Sequence, residues 1–380
     1  MARAPTDTPE DSLPEADRVE GAPHPRETLA LFGQDAAEAA FLDSYRQDRL
    51  HHGWLLTGPR GVGKATLAWK IARFLLATPP DDGGFFAPPP PETLAIPPDH
   101  PVIRRTLALS DPGLFLLRRG PNDKGTANSN IISVDEVRKM KTFFNFHATD
   151  GGRRAAIVDS ADEMNPAAAN ALLKLLEEPP EGVTILLVSH QPSRLLPTIR
   201  SRCRELRLGP LSPADMARAM NGAGIDADGS AAMAELAAGS VGEAIRIASL
   251  DGLALYARLV ELFSTLPRLD RPRALALAEG GAGRGNEAGF DLLLRLIDLF
   301  LARLARAGTT GAPPPEAAPG EAALLLRLAP EPVTARHWAD LAQTLTARAR
   351  RGKAVNLDPA ALLMDMLLKI DETAGRLAAR

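Results

Sequence analysis

The chain has 380 residues, too many for one ordinary hydrophobic core, so two to three domains are expected. Its net charge of −3, from 44 Lys and Arg against 47 Asp and Glu, leaves no chain-wide basic excess for a nucleic acid, although a local basic face stays open. One cysteine excludes an internal disulfide and a cysteine-cluster zinc site; with no apolar run of membrane-spanning length and no basic-then-apolar leader, the expected compartment is cytoplasmic.

Residues 1–24 are rich in Pro, Asp and Glu and poor in large apolar groups. They cannot bury enough surface to offset the entropy of ordering, so a disordered tail is expected, with order beginning near Glu27. Ala36 to Tyr45 reads as a helix, with Asp35 as its N-cap and Glu38 completing a capping box. The stretch GWLLTGPRGVGKATLAWKIARFLL, from Gly53 to Leu76, then reads as strand, glycine loop and helix. Gly58, Gly61 and Gly63 permit a turn that aims backbone N–H groups at phosphate oxygens, and Lys64 can reach the β- and γ-phosphates. The helix that follows adds its N-terminal dipole to the same anion site. The plainer alternative is a glycine turn that only joins strand to helix.

Phosphate binding and hydrolysis separate at the next residue. The position after a P-loop lysine normally offers a hydroxyl to Mg²⁺, and here it is Ala65. The hydroxyl of Thr66 sits roughly 100° further round the helix, poorly placed as a substitute. ATP is therefore a candidate ligand that the loop can hold without turning it over.

The stretch 78–130 is proline-dense and is expected to be a variable, exposed excursion, with a strand over Leu114 to Leu117. His51, His52, His100 and His147 are scattered, and no metal site is expected from them. Ser133 and Glu136 form a capping box for a helix from Val134 to Phe144, which ends in FFNFH; those aromatics suit a core or a base-stacking platform. In AIVDSADEMN a buried strand ends on Asp159, the position of a carboxylate that steers Mg²⁺. The residue that should be an acid to activate water is Ser160, which has no basicity near neutral pH. A helix over Pro166 to Leu176 is stopped by Pro179 and Pro180, and the apolar run Val183 to Ser189 suits a central parallel strand. The polar tip Ser189 is either a sensor of bound phosphate or a strand-end hydroxyl without a ligand. Strands alternating with helices around a P-loop give a doubly wound parallel sheet, assigned to 25–208.

The rest is helical. Ser212, Pro213 and Asp215 start a small helical lid over 209–250. Leu-rich amphipathic runs, notably Phe290 to Ala307 and Ala360 to Ile370, make 251–380 a bundle or oligomeric collar, with a flexible loop from Thr309 to Gly320.

Three segments carry a resemblance: HHGWLLTGPRGVGK, ISVDEVR (Ile132 to Arg138), and ANALLKLLEEPP (Ala169 to Pro180) followed by SRC at Ser201, Arg202 and Cys203. In that order they resemble the AAA+ clamp-loader subunits of bacterial DNA polymerase III. The resemblance implies an α/β P-loop AAA+ domain, an all-α lid and an all-α collar. It makes Asp159 the Walker B carboxylate, Ser189 the sensor-1 side chain and Arg202 an arginine finger acting in trans on a neighbouring subunit's ATP. A guanidinium suits that role because it is permanently charged and forks onto phosphate oxygens. Cys203, in the same motif, is expected to pack rather than react. Related subunits carry a four-cysteine zinc module in the region of 78–130, but this chain has no cysteine there, so no zinc is expected. In GSVGEAIRIA, from Gly239 to Ala248, motor subunits place a sensor-2 arginine where this chain has Gly242; Arg246 lies one turn on. Ala65, Ser160 and Gly242 together imply a stator-like subunit. The implied partners are the delta and tau or gamma subunits and, through the assembly, the sliding clamp and primed DNA, with no membrane. An ATP-hydrolysing tau/gamma-type motor and a stand-alone DNA-binding P-loop protein are the two rivals.

Overall fold

The computed structural model describes residues 15–18, 21–78, 90–122, 126–145, 152–225, 231–281, 286–355 and 357–379. It divides into two compact units, 1–224 with 240–242, and 225–239 with 243–380.

The first unit runs α1 (Asp35–Arg46), β1 (Gly53–Thr57), α2 (Lys64–Ala77), α3 (Pro101–Leu107), β2 (Leu114–Arg118), α4 (Val134–Asn145), β3 (Arg154–Asp159), α5 (Pro166–Glu177), β4 (Val183–Ser189), α6 (Pro197–Arg200), β5 (Arg204–Arg207) and α7 (Pro213–Gly222). The strands form one parallel sheet in the order β2-β3-β4-β1-β5. β1 and β4 are buried along their whole length, as expected of central strands covered on both faces. β5 is an edge strand of sequence RELR in which only Leu206 is buried, so it carries no apolar run by which to be read in advance. On one face, α4 and α5 pack Val137, Met140, Phe144, Leu172 and Leu176 against Leu55, Val158, Ile185 and Leu187. Phe144 is buried and Phe143 packs against Phe115, so the aromatics up to Phe144 are core; Phe146 and His147 lie outside the described residues.

Local chemistry sets the helix ends. Asn165 accepts from Ala168 N–H with Pro166 opening α5, and Ser212 does the same for α7 through Asp215 N–H. The expected Asp35/Glu38 capping box of α1 does not form. Glu38 instead takes Lys70 at 2.6 Å, a full cation that outbids a backbone N–H, and the N-cap position is Gln34, whose amide donates to Val62 and Gly209 carbonyls. Within 78–130, His100 caps the unforeseen α3 with Pro101 at its first position; residues 79–89 and 123–125 lie outside the described set.

The expectation of a disordered tail over 1–24 fails at 15–18 and 21–24. The Asp17 carboxylate is buried, paired with Arg118 at 2.5 Å and 3.1 Å from His24 Nε2; Arg119 donates to the Ala16 carbonyl. His24 is itself buried, edge-on to Trp69. The acidic composition that argues for solvation is matched by arginines at the end of β2, which composition alone cannot reveal. Residues 1–14, 19 and 20 lie outside the described residues.

The second unit holds α8 (Ala231–Ala237), α9 (Val241–Ser249) from Glu243 on, α10 (Gly252–Ser264), α11 (Arg271–Gly281), α12 (Glu287–Thr310), α13 (Glu321–Leu328), α14 (Pro332–Ala354) and α15 (Pro359–Ala378). Of the 209–250 stretch, α7 groups with the first unit and α8 with the second. A buried polar network ties α10, α12 and α13. The Glu321 carboxylate accepts from Tyr256 at 2.6 Å, from Arg303 Nε at 2.7 Å and from Ala317 N–H at 2.7 Å. Burial and the Glu321 charge push the Tyr256 phenol up. Arg303 also donates to the Pro315 carbonyl, so the loop expected to be flexible is pinned at its middle, with Ala317 and Ala318 buried.

Candidate functional site

Parallel strands bring the phosphate loop, Asp159 and Ser189 to one edge of the sheet. The loop follows β1, Asp159 ends β3, and Ser189 ends β4 directly opposite Thr57. Gly58, Gly61 and Gly63 all have positive φ, the backbone a phosphate-cradling turn needs. Lys64 is buried, and its ammonium donates to the loop's own Gly58 carbonyl at 2.7 Å and to that of Pro59. Burial pushes it down to about 8, against the attraction of Asp159 and Asp162. Ser189 Oγ is buried without a hydrogen-bond partner, an orphaned donor that a phosphate oxygen would satisfy.

The groups that handle metal and water are arranged differently. Ala65 and half-buried Thr66 open the first turn of α2. Ser160 Oγ donates to Asp159 Oδ1 at 3.1 Å and lies 2.9 Å from His190 Nε2. Burial, with Lys64 and Arg60 nearby, pushes His190 down to about 3, so it is neutral and donates through Nε2 while Nδ1 is unpartnered. Burial, and then the charge of Asp17, pushes Asp159 up to about 7, the Ser160 hydrogen bond and Lys64 opposing. Ser160 and Ala65 supply neither the acid that would activate water nor the hydroxyl that would bind Mg²⁺. The site residues thus fit the phosphates of a nucleotide but not an activated water.

Gly242 explains itself sterically. Its N–H donates to the Gly61 carbonyl at 3.1 Å, and Ser240 Oγ donates to the Arg60 carbonyl at 2.9 Å. A Cβ at Gly61 would run into Ser240 Oγ, and one at Gly242 would stand 3.0 Å from Gly61 Cα. The segment lies backbone to backbone on the crest of the loop, so any side chain at 242 is accommodated only if the loop gives by a few tenths of an ångström. Arg246 is committed to Glu243 at 3.1 Å.

Arg202 lies at the opposite edge. β5 begins at Arg204, in register with Trp54, so Arg202 sits beyond the N-terminal end of β1 while the phosphate loop leaves its C-terminal end. The five residues of β1 alone put roughly 13 Å between those edges, at about 3.3 Å per residue. Arg202 therefore cannot serve its own loop. It is 38 % exposed, donates to the Thr198 carbonyl at 3.1 Å and pairs with Glu177 at 3.0 Å. Arg204 is folded onto Trp54 and Ser44, and Arg200 is exposed. Burial pushes the Cys203 thiol up to about 12, and its side chain packs, partly buried, against the core of the first unit.

Sequence reasoning did not reach His190, Asp17 or Glu177. His190 directly follows Ser189, a signal that was available; the other two act only through partners distant in the chain.

Residues 33–212 match the family described as DNA polymerase III, delta subunit. The chain is 40 % identical over 154 residues to the DNA polymerase III subunit delta' of Pseudomonas aeruginosa, which covers 40 % of this chain and 41 % of that protein. It is 30 % identical over 228 residues to subunit delta' of Bacillus subtilis, covering 59 % and 62 %. The matched stretches thus span about two fifths to three fifths of these relatives. Among solved structures, a DNA polymerase III gamma subunit-related protein of Thermotoga maritima aligns over 88 % of this chain and 99 % of its own, at 17 % identity and a TM-score of 0.41.

Proposed function

We propose that the chain is a delta-prime-type, stator-like clamp-loader subunit in ATP-driven loading of a sliding clamp onto primed DNA, a reading supported by the match of residues 33–212 to the DNA polymerase III delta subunit family and by the partial identity to delta' subunits. In this reading it lends Arg202 to the ATP site of a neighbouring tau/gamma motor, and it assembles with those motors and the delta subunit. The observation that carries the reading is the separation of its two halves. A degenerate nucleotide site lies at one sheet edge, and at the other stands an exposed arginine that no group of its own site can use. Ala65, Ser160 and Gly242 speak against a motor, and the loop is proposed to hold nucleotide without turnover at most. Among the described residues no helix is long and apolar enough to cross a membrane.

The test is reconstitution with purified delta, tau/gamma, clamp and primed DNA. Clamp loading should depend on adding this chain, while the chain alone should neither hydrolyse ATP nor bind DNA in a salt-dependent way. Loading that proceeds equally well without it would reject the assignment.

A further inference from the structure

We propose that Glu177 is the positioning residue for Arg202, an inference that rests on the reading of Arg202 as a finger in trans. The guanidinium is anchored at two points, Nη1 on the Thr198 carbonyl at 3.1 Å and Nη2 on Glu177 Oε1 at 3.0 Å. With the side chain 38 % exposed, donors beyond those two remain for a ligand. A long side chain waiting in solvent would otherwise sample many rotamers and lose them only when phosphate arrives.

Both ends of this ion pair hang from one junction. Glu177 is the last residue of α5, and Glu178, Pro179 and Pro180 stop the helix there. The Leu176 carbonyl, one of the orphaned acceptors at that helix end, lies 2.9 Å from His52 Nε2. Burial, with His51 stacked beside it, holds His52 below its ordinary value, so it stays a neutral donor to that carbonyl. Gly53 lets the parts meet: a Cβ there would stand 2.9 Å from Leu176 Cδ2 and 3.2 Å from the Arg202 carbonyl oxygen. The end of α5, the start of β1 and the backbone of Arg202 therefore converge on a single point. A carboxylate fixed to that point fixes the finger relative to the sheet. Glu178, adjacent and exposed, has no ion pair among the described residues and serves as the built-in control.

The experiment uses the reconstituted loader in which the motor subunits carry alanine at their own finger arginines, so that turnover reports the site Arg202 serves. Glu177→Ala should lower kcat for ATP about fivefold, the scale of an exposed ion pair, without moving KM. Glu177→Gln, which keeps the shape and an acceptor oxygen, should fall between wild type and Ala. Glu178→Ala should leave kcat unchanged. Gel filtration checks assembly, and the isosteric Gln variant carries the measurement if Ala does not assemble. Unchanged kcat in both Glu177 variants, an effect on KM alone, or an equal loss in Glu178→Ala would overturn the inference. Arg202→Ala in the same assembly separates the two claims. If it leaves kcat intact, the finger reading fails and the inference with it; if it silences the site while Glu177 is indifferent, only the inference falls.

Discussion

Replacing Asp159 by asparagine should stabilise the first unit, increasingly so as the pH is raised. The carboxyl is buried and pushed up to about 7, whereas an unfolded aspartate titrates near 3.9. Below about pH 4 both states hold the proton and the residue contributes nothing. Between about 4 and 7 the unfolded chain gives it up while the fold keeps it, so wild-type stability falls with rising pH. The difference of about 3 units sets an upper limit of about 4 kcal/mol, complete above pH 7. His190 acts with the opposite sign: held near 3 in the fold, it opposes folding at low pH and stops doing so as pH rises through about 6.5. The wild-type profile is the sum of the two, and the gap between Asp159→Asn and wild type isolates Asp159. Lys64, near 8 in the fold, is kept out by stopping at pH 7.5. The assay is urea unfolding from pH 4.5 to 7.5 in a Trp338→Phe background, where fluorescence comes from Trp54 and Trp69 of the sheet unit. The gap should widen by a few kcal/mol across that range. Parallel profiles would show that Asp159 is ionised throughout and that the buried site is better solvated than its geometry implies.

Two further outcomes follow from the same structure. With Ala65 and Ser160 in place of a metal ligand and an acid, the isolated chain should show no ATP hydrolysis above background, and Lys64→Ala should leave clamp loading by the full assembly nearly unchanged; a large loss would make the loop functional. Glu321→Ala should cost about 1–3 kcal/mol in urea unfolding followed by Trp338 fluorescence in a Trp54→Phe, Trp69→Phe background, because it leaves the buried Tyr256 hydroxyl and Arg303 Nε unpaired while Arg303 keeps Glu235 at 3.1 Å; no measurable cost would place water in that network.

The legible parts of this chain were those written locally. The runs of β1 and β4, the glycine loop, the proline stop after α5 and the capping of α7 each depend on neighbours within a few residues. β5 was hidden because an edge strand needs no apolar alternation, and α3 because a short helix opened by Pro101 looks like the proline-rich loop around it. The ordered tail escaped because its acids are matched by Arg118 and Arg26, and the Glu38 cap because Lys70 competes for it. The same limit applied at the site. Ala65, Ser160 and Gly242 could be read as losses, but the tight contact of Gly242 with Gly61 exists only in the fold.

The central claim is that this chain acts on another subunit's ATP through Arg202. Clamp-stimulated ATPase of the reconstituted assembly, wild type against Arg202→Ala, measures it most directly, with gel filtration to verify assembly. A finger contributes about 10³ to 10⁵ in rate at the site it serves. Arg202→Ala should nearly silence that one site and lower total ATPase in part, and Arg202→Lys should not rescue it, since an ammonium cannot reproduce the fork. Unchanged ATPase and loading by an intact Arg202→Ala assembly would make Arg202 a surface charge and contradict the account.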